Sequence, residues 1–166
     1  MPDRYAVIGN PIAHSKSPII QNAFAQATGQ DMSYERLLAP LDAFRATVER
    51  FAAEGGLGLN VTIPFKLEAF ELATETTQRA RLAGAVNTLK RIDGGWLADN
   101  TDGAGLVRDL MHNHGVVVAG QAVAILGAGG AVRGILKPLL DAGAASVSIS
   151  NRTMAKAEAI AAHFSR

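Results

Sequence analysis

The stretch "AVAILGAGGAVRGILKPLLDAGAASVSISNRT", residues 122–153, decides the architecture. It opens with a short β-prone apolar run, breaks at Gly127, Gly129 and Gly130, continues as a helical stretch and closes on a second β-prone run. Strand, tight turn, helix and strand within about 30 residues make a βαβ unit, the element from which parallel sheets are built. The first glycine permits the tight turn. The others leave the backbone bare enough for a pyrophosphate to approach a helix N-terminus, where N–H groups and the helix dipole favour anions. Taken alone, such a glycine run also fits a plain strand–helix turn.

The end of the second strand adds information. In a fold of this kind that binds NAD, an acidic residue there takes the ribose 2′-hydroxyl. Here the residues are Asn151, Arg152 and Thr153. No carboxylate is present to repel a phosphate, and the Arg152 guanidinium can pair with one. The expected cofactor is therefore NADP rather than NAD. The bland alternative is an arginine solvated at a helix start, a position the helix dipole disfavours for a cation.

Working outward, short β-prone runs alternate with helical patterns along the whole chain, which points to α/β architecture. Strands are expected at 4–9, 32–39 and around 59–63, and two more across 87–100, joined at Asp93-Gly94-Gly95. Helices are expected at 17–29, 41–56, 65–83, 103–114 and 154–164. For the first of these, Ser17 reads as N-cap, Pro18 as the first helical residue and Gly29 as terminator. A boundary near 114–121 gives two domains, residues 1–114 and residues 115–166. A doubly wound nucleotide-binding sheet has about six strands, and only two are legible after the boundary. The expectation is that the chain is a fragment or that something else covers the edge of that small sheet.

Composition narrows the function classes. With 166 residues, 48% hydrophobic, the chain can bury a real core. A formal net charge of +1 supplies no global field for nucleic acid or an anionic membrane, and neither is an expected partner. No apolar run approaches the roughly 20 residues of a bilayer span, and the first residues lack the apolar stretch of a secretory signal, so the expected location is the cytoplasm. The absence of cysteine rules out disulfides, thiolate metal sites and cysteine nucleophiles, and no metal is expected.

Three polar clusters follow strands or turns in residues 1–114. "GNPIAHSKSP" brings Ser15 and Ser17; "NVTIPFK" brings Asn60, Thr62 and Lys66; "GAVNT" and "DNTDG" bring Asn87 and Asp102. Loops at the carboxyl ends of strands in an open α/β sheet converge on one crevice. Hydroxyls, amides, one lysine and one aspartate there suit a small polyhydroxylated substrate carrying a carboxylate. Each residue also has a plain reading: Ser17 and Asp102 as helix caps, Lys66 as the first solvated residue of a helix.

Taken in order and at their spacings, "GNPIAHSKSP", "NVTIPFK", "AGAVNTL", "DNTDGAG", "GAGGA" and "NRT" resemble the shikimate dehydrogenase family, and the resemblance runs the length of the chain. It implies a substrate-binding α/β domain followed by the start of a Rossmann-type NADP-binding domain, incomplete here, with the active site between the two. It implies reversible reduction of 3-dehydroshikimate to shikimate by NADPH, in aromatic amino acid biosynthesis, by a protein that is a monomer or homodimer at full length. By the resemblance, Lys66 matches the catalytic lysine and Asp102 the aspartate paired with it. Ser15 and Ser17 match the serines that hold the substrate carboxylate, and Asn60, Thr62, Asn87 and Asp102 match residues bonding its hydroxyls and carbonyl. Gly127, Ala128, Gly129, Gly130 and Ala131 match the pyrophosphate turn. Asn151, Arg152, Thr153 and Lys156 match the segment on the 2′-phosphate.

The chemistry agrees with that assignment. Hydride delivery to a ketone leaves an alkoxide, which needs a proton donor within hydrogen-bonding reach. A lysine in a closed cleft can stabilise the charge and give up the proton, and a neighbouring carboxylate orients it. The chain departs from the family at Gln21, where histidine is frequent, and at Gln78, where some relatives are acidic near the cofactor. The larger departure is that family members continue well past this chain, which is expected to leave it poorly active by itself. Three alternatives stand beside this reading: a dehydrogenase accepting quinate, a folate-interconverting dehydrogenase of similar layout, and a non-catalytic metabolite sensor. Two serines at the carboxylate positions lean toward shikimate, the serine pair and "NRT" disfavour the folate enzyme, and an intact Lys66 with Asp102 argues against a sensor, because binding alone requires no proton donor.

Overall fold

The computed structural model of the chain describes residues 2–164. Strands β1 (Asp3–Gly9), β2 (Met32–Leu38) and β3 (Gly56–Val61) are parallel and lie in the order β2-β1-β3. Helix α1 (Ser17–Thr28) joins the first pair, and α2 (Phe44–Ala53) leads from β2 to β3. The two crossovers step in opposite directions along the sheet. Right-handed connections therefore put α1 and α2 on opposite faces.

Alternation then sorts the side chains. Ala6, Leu59, Leu89 and Ala98 lie in one row across the sheet, with Ile8 and Val61 beside them, and all are buried. This is the face of the larger core, which also takes Phe44, Val48 and Phe51 of α2 and Phe65, whose ring stacks on Phe44 at 4.8 Å. The other face, under α1, has a smaller apolar cluster of Val7, Ile12 and Tyr34. On that face β3 places Asn60, and the paired strand beyond it places Thr88 and Lys90, which brings polar groups together there.

The sheet is completed by a hairpin, β5 (Thr88–Ile92) and β6 (Gly95–Asp99), and by the two-residue β4 (Glu75–Thr76), in the order β2-β1-β3-β5-β6-β4. β5 runs antiparallel to β3 and to β6, so the sheet is mixed. The hairpin turns at Asp93-Gly94, within the expected turn, whose third residue Gly95 opens β6 and pairs with Ile92.

The helix expected over 65–83 is two helices, α3 (Lys66–Leu72) and α4 (Gln78–Ala83), separated by β4. Thr74 explains the break: its N–H donates to the Trp96 carbonyl at 3.0 Å, and its Oγ1 accepts from the Trp96 N–H at 3.2 Å. Thr77 then caps α4, accepting from the Ala80 N–H. A run with threonine at 74, 76 and 77 is β-prone and cap-prone, and sheet pairing outweighs its weak helical tendency. Helix α2 is shorter than the expected 41–56, and α5 (Asp102–Arg108) passes into a π-helical turn, Asp109–Asn113. Ser17 is the first residue of α1 and not its cap. Lys16 holds the cap position, with its carbonyl accepting from Ile19 and Ile20, and Ser15 Oγ accepts from the Ser17 N–H at 3.3 Å. Gly29 ends the helix in the left-handed conformation, as expected.

Beyond the boundary segment, β7 (Ala122–Leu126), α6 (Gly130–Asp141) and β8 (Ser146–Ser150) form the expected βαβ unit, followed by α7 (Met154–Phe164). β7 and β8 pair in parallel. The buried cluster here is Val118, Ile125, Val132, Leu136, Leu139 and Ile160.

The chain packs as two compact units. One comprises the described residues through Thr76 together with Val86–Asp99; the other comprises Thr77–Ala85 together with the described residues from Asn100 onward. The packing division thus differs from a single cut at 114/115, because α4 and α5 both pack with α6. The α5–α6 approach is close enough to require glycine. A Cβ on Gly103 would stand 2.3 Å from the Gly134 carbonyl oxygen, and one on Gly134 would stand 2.5 Å from Asn100 Oδ1.

Candidate substrate and cofactor sites

In the first unit, the loops after β1 and β3 are tied together. The Asn10 N–H donates to the Ile63 carbonyl at 3.0 Å, the Thr62 N–H to the Ile8 carbonyl at 3.0 Å, and Asn10 Nδ2 to the Ala39 carbonyl at 2.9 Å. Peptide bonds Asn10–Pro11 and Ile63–Pro64 are both cis. The serine pair leaves the first of these loops. Ser15 Oγ lies 3.2 Å from Ser17 Oγ, and the Ser15 N–H donates to the carbonyl of buried Ile12. Arg36 of β2 donates from Nε at 2.8 Å, and also from Nη2, to the Ser15 carbonyl. A guanidinium is thereby anchored beside two hydroxyls, an arrangement that can take a carboxylate.

Lys66 heads α3 from the second loop and is half-buried. A cation in a first helical turn opposes the helix dipole, so helix preference does not account for it. Its carbonyl accepts from the Val86 N–H at 2.8 Å, which ties the start of α3 to the segment entering Asn87. Asn60 sits on β3 with its side chain on the face opposite the larger core, and Asn87 stands just before β5; both are half-buried. Thr62, also half-buried, follows β3 directly. The structure therefore brings Ser15 and Ser17 together, and Asn60 with Asn87.

Two residues not expected from the sequence join this group. Tyr34 of β2 reaches over β1, and its hydroxyl donates to Asn60 Oδ1 at 2.6 Å. Burial pushes the Tyr34 phenol up to about 12, so it remains a donor through the physiological range. Thr88 Oγ1 donates to Asn87 Oδ1 at 2.9 Å and accepts from Asn60 Nδ2 at 3.4 Å. The hydroxyl next to Asn87 in sequence was the one available signal. Tyr34 had none, since its pairing depends on strand order. A cavity of about 420 Å³ reaches Tyr34, Asn60 and Thr88 from the same face.

In the second unit, Asp102 heads α5. Its N–H donates to Asn100 Oδ1 at 3.2 Å, and the buried Asn100 donates from Nδ2 to the Ala85 carbonyl at 2.9 Å. The glycine turn follows β7. Gly127 has φ +123°, a conformation closed to residues with a Cβ, and its N–H donates to the Ser150 carbonyl at 2.8 Å. A Cβ on Gly129 would meet nothing within 4 Å, so open space lies over the turn, and α6, which starts at Gly130, has no side-chain cap. Ala128 and Ala131 add only methyl groups.

Past the end of β8, Asn151 Nδ2 donates to the Thr153 carbonyl at 2.8 Å, and Arg152, Thr153 and Lys156 are exposed. A bare turn leading into an uncapped helix, with two cations and no carboxylate at residues 151–156 past the neighbouring strand, fits a dinucleotide carrying a 2′-phosphate. A groove of about 650 Å³ among α4, α5 and α6 contains none of these turn residues. Among the described residues, no group of three or more histidines, cysteines, aspartates or glutamates is placed to hold a metal ion, and no helix is long and apolar enough to cross a membrane.

Comparison with known proteins agrees with both halves. Residues 7–89 match the shikimate dehydrogenase substrate-binding domain, and residues 109–166 match the shikimate/quinate 5-dehydrogenase family. The shikimate dehydrogenase (NADP(+)) of Chromobacterium violaceum is 59% identical over 166 residues, all of this chain and 61% of that protein. Its counterpart in Thioalkalivibrio sulfidiphilus is 62% identical over 163 residues, 98% of this chain and 60% of that protein. The structure of shikimate 5-dehydrogenase from Thermus thermophilus in complex with NADP(H) and shikimate superimposes with TM-score 0.89 at 34% identity, covering 98% of this chain and 61% of that one. The chain thus spans about three-fifths of the length of these relatives. By its sequence matches and by its fold, it belongs to the shikimate dehydrogenase family.

Proposed function

We propose that this chain serves the reversible, NADP-dependent reduction of 3-dehydroshikimate to shikimate, a step of aromatic amino acid biosynthesis. The observation that carries the reading is the gathering in one unit of a serine pair beside an anchored guanidinium, two carboxamides, a threonine and a half-buried lysine at the ends of tied loops. Ser15 and Ser17 hold the substrate carboxylate, and Asn60, Thr62 and Asn87 bond its hydroxyls and carbonyl. Lys66 donates the proton to the oxygen that becomes an alkoxide on reduction and takes it back on oxidation. Asp102 contributes the carboxylate that orients Lys66 and contacts a substrate hydroxyl.

Gly127 to Ala131 receive the pyrophosphate, and Asn151, Arg152, Thr153 and Lys156 receive the 2′-phosphate. When bound, NADPH supplies the hydride. The chain's own groups orient the ketone and supply the proton. A second reading, a dehydrogenase that accepts quinate, is favoured by the match of residues 109–166 to a family embracing both substrates.

The test is oxidation of shikimate and of quinate with NADP and with NAD, run on this chain and on a version extended to the length of its relatives. Shikimate oxidation preferring NADP is expected in the extended protein. Quinate turnover equal to or above that of shikimate would select the second reading, and no turnover of either would refute both.

A further inference from the structure

We infer that Tyr34 and Thr88 are positioning residues that fix which end of each site carboxamide faces the substrate. The inference rests on the proposed role of Asn60 and Asn87 in holding it. One group in this network has a polarity that is not adjustable. The Asn87 backbone carbonyl can only accept, and it lies 3.5 Å from one end of the Asn60 carboxamide. That end is therefore the amide nitrogen, and the end 2.6 Å from Tyr34 is the oxygen, so the Tyr34 hydroxyl donates.

The same nitrogen donates to Thr88 Oγ1 at 3.4 Å, and the single Thr88 proton goes to Asn87 Oδ1 at 2.9 Å. Asn87 accordingly turns its oxygen toward Thr88 and its amide protons to the opposite side. Chains of this kind polarise in one direction, and each member constrains the next. A carboxamide not so held would present either end at similar cost, because its two ends have nearly the same shape and opposite polarity.

The consequence is one of specificity. Asn87 turns its donor end away from Thr88, so a substrate group that meets that end is an acceptor: a carbonyl in one direction of the reaction and a hydroxyl oxygen in the other. Tyr34 belongs to this arrangement through more than its ring. The ring packs with Val7 and Ile12, while the hydroxyl gives its one proton to Asn60 Oδ1. Its high pKa keeps it protonated, and a phenolate there would oppose the Asn60 oxygen instead of donating to it.

The test compares wild type with Tyr34→Phe, Thr88→Val and Thr88→Ser in the 166-residue chain. Shikimate is titrated by isothermal calorimetry, and the side-chain amide protons of Asn60 and Asn87 are followed by NMR without ligand. Thr88→Val keeps the shape and removes the hydroxyl, and Thr88→Ser keeps the hydroxyl. For loss of an ordinary hydrogen bond, shikimate should bind about three- to tenfold more weakly to Tyr34→Phe and Thr88→Val. Thr88→Ser should recover wild-type affinity within about twofold, the margin expected when the hydroxyl contact is kept.

Without ligand, the two Asn87 amide protons should exchange positions slowly in wild type and Thr88→Ser, and faster in Thr88→Val. Wild-type affinity in Thr88→Val, or unchanged amide exchange across the series, would overturn the inference. If wild type fails to bind shikimate while the amide pattern follows expectation, the hydrogen-bond order stands and the proposed substrate falls.

Discussion

Gly103 and Gly105 stand two residues apart on α5, and replacing each by alanine should move stability in opposite directions. A Cβ at Gly103 would lie 2.3 Å from the Gly134 carbonyl oxygen, 2.5 Å from Pro138 Cγ and 3.0 Å from Ile135 Cα. These are backbone and ring atoms of α6, which cannot swing away as a flexible side chain would. Ordinary contact distances would be restored only by separating α5 from α6 by roughly 1 Å, in an interior packed like a crystal.

Overpacking of that kind costs about 1–3 kcal/mol, and the rigid neighbours place this case at the upper end. Alanine recovers about 1 kcal/mol of helix propensity, so Gly103→Ala should lose about 2 kcal/mol net. At Gly105 a Cβ meets nothing within 4 Å, and the residue is exposed. There only the propensity term operates, and Gly105→Ala should gain about 0.5–1 kcal/mol.

Urea unfolding followed by far-ultraviolet circular dichroism reads both variants against wild type. Hydrogen exchange of α6 amides locates the effect within the second unit. The midpoint should fall for Gly103→Ala and rise for Gly105→Ala, with the slope unchanged. If Gly103→Ala proved as stable as Gly105→Ala, the α5–α6 approach would not be as close as the geometry states, and the reasoning would fail.

Lys66→Met in a version extended to the length of the relatives should reduce turnover by about 10²–10⁴-fold, the scale of a lost general acid/base, with a much smaller change in substrate affinity; steady-state kinetics would expose near-normal turnover, which removes Lys66 from that role. Arg152→Ala should weaken NADP by about 1.5–3 kcal/mol, the scale of a hydrogen bond to a charged group, while leaving NAD nearly unchanged. Calorimetric titration of both cofactors distinguishes that result from equal weakening, which would detach Arg152 from the 2′-phosphate. Tyr34 should also give the fold an alkaline limb. Its folded pKa of about 12 exceeds the ordinary value of 10.0, so above pH 10 the unfolded state loses a proton that the folded state keeps, and stability falls as pH rises toward 12. Stability measured from about pH 9 to 12 should show a smaller fall in Tyr34→Phe, and identical slopes would contradict the burial of the hydroxyl.

What could be read from the chain alone rests on local rules. Residues 122–153 specify strand, turn, helix and strand because the glycine at 127 meets a positive φ and the apolar runs are short and β-prone. Gly29 ends α1 for a similar local reason, and the order of six motifs was enough to point to the family, with its serine pair, carboxamides, lysine and glycine turn. Tertiary structure alone decided the rest. Residues 74–77 read as the middle of a helix until Trp96, 22 residues away, supplies the backbone partners that make Thr74 extend. Ser17 reads as a cap until Lys16 takes the position and Ser15 supplies the hydroxyl. The packing of α5 on α6 follows from a glycine-to-backbone approach between Gly103 and Gly134, which no periodicity announces. Tyr34 enters the site from 26 residues before Asn60 because β1 lies between their strands, at a spacing a tyrosine can bridge. Turns and helix ends depend on a few neighbouring dihedrals and can be read from the chain; partners set by strand order and helix approach exist only once the chain has folded.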